Sequence, residues 1–164
     1  MAVIEKGSFE VISRSPNQTR RIGMRLGELL HPGDVIGLEG NLGAGKTTLV
    51  QGVASGWGSY DSVSSPTYVL VNVYRRLDHN QLYHLDAFRL SSPAEAVALD
   101  IDTLLVQGPL LVEWADRIKD ALPEGLLWIN MRLINDEQRD FIVHARGDRH
   151  KDLLEQFRED IYGI

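Results

Sequence analysis

The sequence predicts an α/β fold in which helices cover a central, mostly parallel sheet that carries an antiparallel extension. Three observations lead there. The apolar run "VIGL" flows into the Gly-rich "EGNLGAGKTT" (residues 39 to 48) and then into the helix-patterned "LVQGVA". Strand and helix patterns alternate along the rest of the chain, without repeats or low-complexity tracts. "PLLVEW" is a short apolar run that ends in a carboxylate, the kind of strand found in the middle of a parallel sheet. At 164 residues, with 43% hydrophobic and 24% charged content, the chain suits one compact domain, residues 1 to 164, with a buried core.

In chain order, "FEVI" (9 to 12) reads as a strand, and "SPNQ" (15 to 18) opens a helix with Ser15 as cap, Pro16 in the first turn and Gln18 at the capping-box position. Ile22, Leu26, Leu29 and Leu30 give it one apolar face. "HPGD" is a turn, "VIGLEG" a buried strand, and residues 46 to 55 a helix. The polar "SYDSVSSP" (59 to 66) is a loop. "TYVLVNVYRRL" and "QLYHLDAF", joined by "DHN", predict a β-hairpin. "SSPAEAVAL" starts a helix capped at Ser92, with Pro93 in its first position and Glu95 completing a capping box. After "PLLVEW" come a short helix near 115 to 121, strands in "LLWINMRLI" and "DFIVHA", and a terminal helix over 150 to 160.

Composition narrows the setting. The chain has no cysteine, no signal-like apolar segment at its start and no apolar run long enough to cross a bilayer, which predicts a soluble cytoplasmic protein. The net charge of −6 and pI of about 5.3 provide no broad basic footprint for a polyanion. A nucleic acid would be met through a partner.

Gly40 to Thr47 spells G-x-x-x-x-G-K-T, the P-loop signature, and each fixed position has a mechanical reason. Gly40, Gly43 and Gly45 free the backbone to turn successive N–H groups inward around phosphate oxygens. Lys46 supplies a mobile charge for the β and γ phosphates, and Thr47 a hydroxyl for Mg²⁺. The helix that begins here adds its positive end. Thr48 either touches the α phosphate or is an ordinary residue of the helix. With a strand before the motif and a helix after it, the prediction is a single P-loop NTPase-like α/β/α sandwich.

Ligands of open α/β sheets bind at the carboxyl ends of the strands, which singles out two acids that terminate apolar runs, Asp86 and Glu113. A hard divalent cation takes oxygen ligands, commonly one or two carboxylates together with substrate phosphates. Glu113, behind the more apolar strand, is favoured as the metal ligand. Asp86 is left to orient water or to stand in the outer shell of the metal, and either acid also suits a helix cap. "SSPTY" (64 to 68) lies where P-loop proteins carry a γ-phosphate-sensing segment, with Thr67 as the sensor hydroxyl, although Ser-Pro-Thr also suits the start of a strand. His84 either faces the polar site or is a structural histidine, and Trp114 either covers the nucleotide or joins the core.

Taken together, "SPNQT", "GNLGAGKTT", "SPTY", "YHLDAFRL" and "LLVEW" resemble, in order and spacing, the bacterial TsaE (YjeE) ATPases of tRNA threonylcarbamoyladenosine (t6A) synthesis. The likeness runs from the first helix to the C-terminal strands. It implies an ATP-dependent accessory protein acting with TsaB and TsaD homologues in placing t6A beside the anticodon, with tRNA met only indirectly. It makes Thr47 and Glu113 the Mg²⁺ ligands and Gly43, Ala44, Gly45, Lys46, Thr47 and Thr48 the phosphate cradle. Thr67 falls in the switch, and Asp86 takes a catalytic or metal-linked role. Thr19 and Arg139 hold the places that flank the nucleobase in the family. Asp100 stands where the family often has Gly before Ile, which bears on a helix junction.

Two other classes use a P-loop. A small-molecule kinase adds an Arg-rich lid, and Arg75, Arg76, Arg89 and Arg117 are scattered. A GTPase carries an Asn-Lys-x-Asp guanine reader, which the sequence lacks. A third reading is an assembly switch that holds ATP with little turnover. No arginine stands out beside the loop, so the expected ATPase is weak alone and stimulated by partners.

Overall fold

The structure, a computed structural model, describes residues 7–41, 44–63, 71–90 and 92–163. Within these residues seven strands form one sheet. They are β1 (Ser8–Ser13), β2 (Val35–Glu39), β3 (Val71–Arg75), β4 (Gln81–Asp86), β5 (Leu110–Glu113), β6 (Leu126–Leu133) and β7 (Arg139–Arg146). Their order across the sheet is β1-β7-β6-β2-β5-β4-β3. The four central strands, β6, β2, β5 and β4, run parallel, while β1, β7 and β3 pair antiparallel at the two margins.

The helices are α1 (Pro16–Gly27), α2 (Lys46–Trp57), α3 (Pro93–Val97), α4 (Ile101–Gln107) and α5 (Asp148–Tyr162), with 3-10 segments at Ala87–Arg89 and Ala115–Ala121. Side-chain alternation along the strands assigns the two covers. Ile36, Leu38, Leu111 and Leu127 lie with Leu26, Leu49, Val53, Leu153 and Phe157 of α1, α2 and α5. Val35, Leu85, Leu110 and Val112 lie with Ile101, Ile118 and Leu122 on the opposite face. Burial of a side chain of this size contributes about 1.5–3 kcal/mol, so strands apolar on both faces hold the sandwich together.

The α1 opening follows the expected cap, since Ser15 Oγ accepts from Gln18 N at 3.1 Å. The Gln18 side chain reaches back to Arg14 N at 2.7 Å, one residue before the cap. The helix stops at Gly27, so Leu29 and Leu30 pack from the turn that follows it. Close contact between α1 and α2 requires bare backbone: a Cβ on Gly52 would stand 2.2 Å from Arg20 O. Ser92 does occupy the cap of α3, but its side chain makes no capping bond. Asp100 sits between α3 and α4 at φ 52, in the left-handed region that favours glycine.

The parallel arrangement brings three acids to one edge of the sheet. β2 ends at Glu39, β4 at Asp86 and β5 at Glu113, with Asp86 beside Glu113 in register and Leu38 beside Glu113 on the other side. No helix among the described residues is long and apolar enough to cross a membrane.

Candidate functional site

At this carboxyl edge the chain leaves β2 and re-enters helix at Lys46. Gly40 is required by a close approach, because a Cβ there would stand 2.6 Å from Met131 O. Gly45, the residue before α2, has φ 92, a conformation that a side chain would strain. Ala44 is buried beside it. Gly43 and Thr67, both expected to act here, lie outside the described residues.

Lys46 is only 6% exposed. Its ammonium donates to the carbonyls of Gly40 and Asn41, the latter at 3.0 Å, and sits 4.2 Å from the centre of the Trp114 ring. Burial pulls its pKa below the ordinary lysine value, while the charges of Glu113, Asp116 and Asp86 pull it back up. The two acids expected from the sequence are therefore both within electrostatic reach of the expected lysine.

Glu113 is buried, and its Oε2 lies 2.6 Å from His84 Nε2. His84 Nδ1 is in turn 2.8 Å from the Tyr74 hydroxyl. His84 thus faces the polar site while being fully buried, a combination in which both expected roles hold. Asp86 Oδ1 accepts from Phe88 N at 2.9 Å and caps the Ala87–Arg89 turn, so the helix-cap role is observed for this acid. Trp114 is half-buried, packs at 5.0 Å on Phe88 and covers the lysine. The Arg117 guanidinium lies over the Phe88 ring, 4.7 Å from its centre, so this arginine borders the site, although in the sequence it was one of several scattered arginines.

Thr47 and Thr48 stand in the first turn of α2, both half-buried. Thr48 lines a small crevice with Pro16, Thr19, Gly45, Glu137 and Arg139. The structure therefore brings Thr19 and Arg139 together beside the loop. The Thr19 hydroxyl is already engaged with Ser13 Oγ at 2.7 Å. Arg139 is anchored through Nη1 to the carbonyls of Asn135, Asp136 and Gln138. Its Nε is buried without an acceptor among the described residues, and a Cβ on Gly45 would lie 3.6 Å from it. An orphaned donor beside a glycine loop fits an anionic or polar ligand there.

The donor set also fits a hard divalent cation. Glu113 has one oxygen taken by His84, Thr47 brings a hydroxyl, and no group of three or more His, Cys, Asp or Glu among the described residues holds a metal by itself. An ion on these two residues would be completed by oxygens from a phosphate ligand and water. Ser59 Oγ donates to Arg75 O at 2.9 Å and Asp61 accepts from Arg75 N at 2.7 Å, tying the start of the expected switch loop to the edge strand β3.

Known proteins match this chain over most of its length. The family model described as "Threonylcarbamoyl adenosine biosynthesis protein TsaE" matches residues 13–141. The Bacillus subtilis protein named tRNA threonylcarbamoyladenosine biosynthesis protein TsaE is 37% identical over 142 residues, covering 87% of this chain and 89% of the relative. A protein of the same name from Streptomyces coelicolor is 39% identical, covering 79% and 92%. The crystal structure of Bacillus subtilis YdiB superposes with a TM-score of 0.78 at 30% identity, covering 98% of this chain and 99% of that one.

Proposed function

This chain belongs to the TsaE family, and from that premise we propose that it is an ATP-binding, Mg²⁺-dependent ATPase of tRNA t6A modification that works with TsaB and TsaD homologues in the cytoplasm. The observation that carries the chemistry is the meeting of Lys46 with Asp86 and Glu113 at the carboxyl ends of β2, β4 and β5. Few arrangements other than phosphate binding explain a lysine buried under a tryptophan at a glycine loop.

In this reading Lys46 leaves the Gly40 and Asn41 carbonyls to neutralise the β and γ phosphates, and the N–H groups of residues 43 to 48 surround them. Thr47 and Glu113 hold Mg²⁺, which supplies charge stabilisation on the transferred phosphoryl group. Asp86, aimed by its bond to Phe88 N, orients the attacking water. Thr67 senses the γ phosphate. Thr19 and Arg139 border the nucleobase.

Two measurements test this. In steady-state assays the chain alone should bind ATP and hydrolyse it poorly, and TsaB with TsaD homologues should raise the rate; fast turnover indifferent to partners overturns the accessory role, and binding with no turnover in either condition leaves the assembly-switch reading. Glu113→Ala should weaken the Mg²⁺ dependence of nucleotide binding, whereas Asp86→Ala should mainly slow hydrolysis, because positioned water matters more in the transition state than in the ground state. Superimposable Mg²⁺ titrations for wild type and Glu113→Ala remove Glu113 from the metal.

A further inference from the structure

Three neighbouring strands each contribute one polar side chain to a line running across the sheet. Tyr74 on β3, His84 on β4 and Glu113 on β5 are 2%, 0% and 4% exposed. Alternation puts them on the face of the sheet that α2 covers, the face shared by Leu82 and Leu111. A buried polar line in an apolar layer is retained only if its members satisfy one another. We propose that His84 is a positioning residue, which holds the Glu113 carboxylate in the orientation that receives the divalent cation, and that Tyr74 selects the imidazole tautomer able to do so. This rests on the Mg²⁺ role of Glu113 proposed above.

The geometry dictates the roles. A carboxylate accepts, so the 2.6 Å contact requires the proton on His84 Nε2. In the neutral ring Nδ1 is then an acceptor, to which the Tyr74 hydroxyl at 2.8 Å donates. Glutamate has three side-chain torsions, and a single bond at Oε2 fixes the last of them while leaving Oε1 without a hydrogen bond among the described residues. Groups that orient a metal ligand in this way typically change metal affinity by about 10- to 100-fold when removed. A purely space-filling histidine predicts something different: an apolar residue of similar size would serve as well, and replacement would change stability alone.

The experiment begins with the intact wild-type protein. A long-range ¹H–¹⁵N spectrum of ¹⁵N-histidine-labelled chain should show the proton of His84 on Nε2; a bare Nε2 overturns the inference without any variant having to fold. Binding of a non-hydrolysable ATP analogue is then titrated with magnesium chloride for wild type, His84→Gln, His84→Leu and Tyr74→Phe. Gln places an amide N–H near the position of Nε2 and should retain most of the Mg²⁺ response. Leu should weaken it by about 10- to 100-fold, and Phe should shift it less, in the same direction. Gln and Leu responding alike, or Leu matching wild type, overturns the positioning role even though Mg²⁺ binding stands. A wild-type response flat in Mg²⁺ overturns the metal reading of Glu113 and this inference with it.

Discussion

The two ends of strand β2 each meet a buried carboxylate and a histidine, yet the two clusters are built differently. At the N-terminal end Asp34 is saturated: Oδ1 accepts from Arg149 Nε at 2.9 Å, and Oδ2 accepts from Arg149 Nη2 at 2.7 Å and from His31 N at 2.8 Å. His150 accepts from Val35 N at 3.0 Å, pinning α5 to the start of β2. At the C-terminal end Glu113 accepts from His84 alone among the described residues, and Lys46 is held by backbone carbonyls beside it. One cluster has its polar groups matched and closes the fold. The other keeps an oxygen and an ammonium that a ligand can recruit. The difference teaches that burial and charge do not mark a site by themselves; what separates the two clusters is whether the charged groups are tied to each other or held by neutral partners that a ligand can replace.

Lys46→Ala should break the open cluster with the largest effect. Two charge-assisted bonds from the ammonium to phosphate, at about 1.5 kcal/mol each, give a loss of about 3 kcal/mol, or on the order of a hundredfold in ATP affinity. The melting temperature should hold, since the lysine contributes no apolar core and its burial is itself unfavourable. Calorimetry showing unchanged ATP affinity would remove the P-loop from the mechanism.

Asp34→Ala should do the reverse. His31 N loses its acceptor, while Arg149, whose side chain is 43% exposed, rehydrates, so the expected loss is about 2 kcal/mol of stability, or about 5 °C in melting temperature. Nucleotide affinity at the far end of β2 should remain at the wild-type value. A large loss of affinity with an unchanged melt would show that the two clusters are not separable in the way their bonding implies.

The open cluster was largely legible in the sequence because its parts are local. The G-x-x-x-x-G-K-T spacing fixes a loop, and acids that end apolar runs are carried to one edge by parallel pairing, as Asp86 and Glu113 are. The hairpin of β3 and β4 was legible from two β-rich runs around a short turn. What the sequence concealed was long-range pairing of side chains. His84 and Glu113 are 29 residues apart and meet only because β4 and β5 are neighbours; the period of two that puts His84 and Asp86 on one face was the available signal. The Asp34–Arg149 pair spans 115 residues and has no local pattern at all. The placement of Thr67 and Gly43 falls outside the described residues.

The smallest expected effect sharpens the closed cluster through pH. His150 Nε2 accepts the Val35 N–H, so the folded state needs the neutral ring. Burial pushes its pKa below the ordinary histidine value; Asp34 pulls it up and Arg149 pushes it down, without reversing the direction. In the unfolded chain the ring titrates near the ordinary value of about 6.5. The unfolded state therefore takes up the proton first as the pH falls. The stability contribution is fully present above about pH 6.5 and is lost on acidification toward the lower folded pKa, by up to about 1.4 kcal/mol per pH unit. Urea denaturation at pH 7.5, 6.5 and 5.5 should show this fall in wild type. In His150→Gln, which keeps an acceptor for Val35 N but does not titrate, the decline over the same range should be shallower. Parallel declines in the two proteins would assign the pH dependence to groups elsewhere and leave the closed cluster without a titrating member.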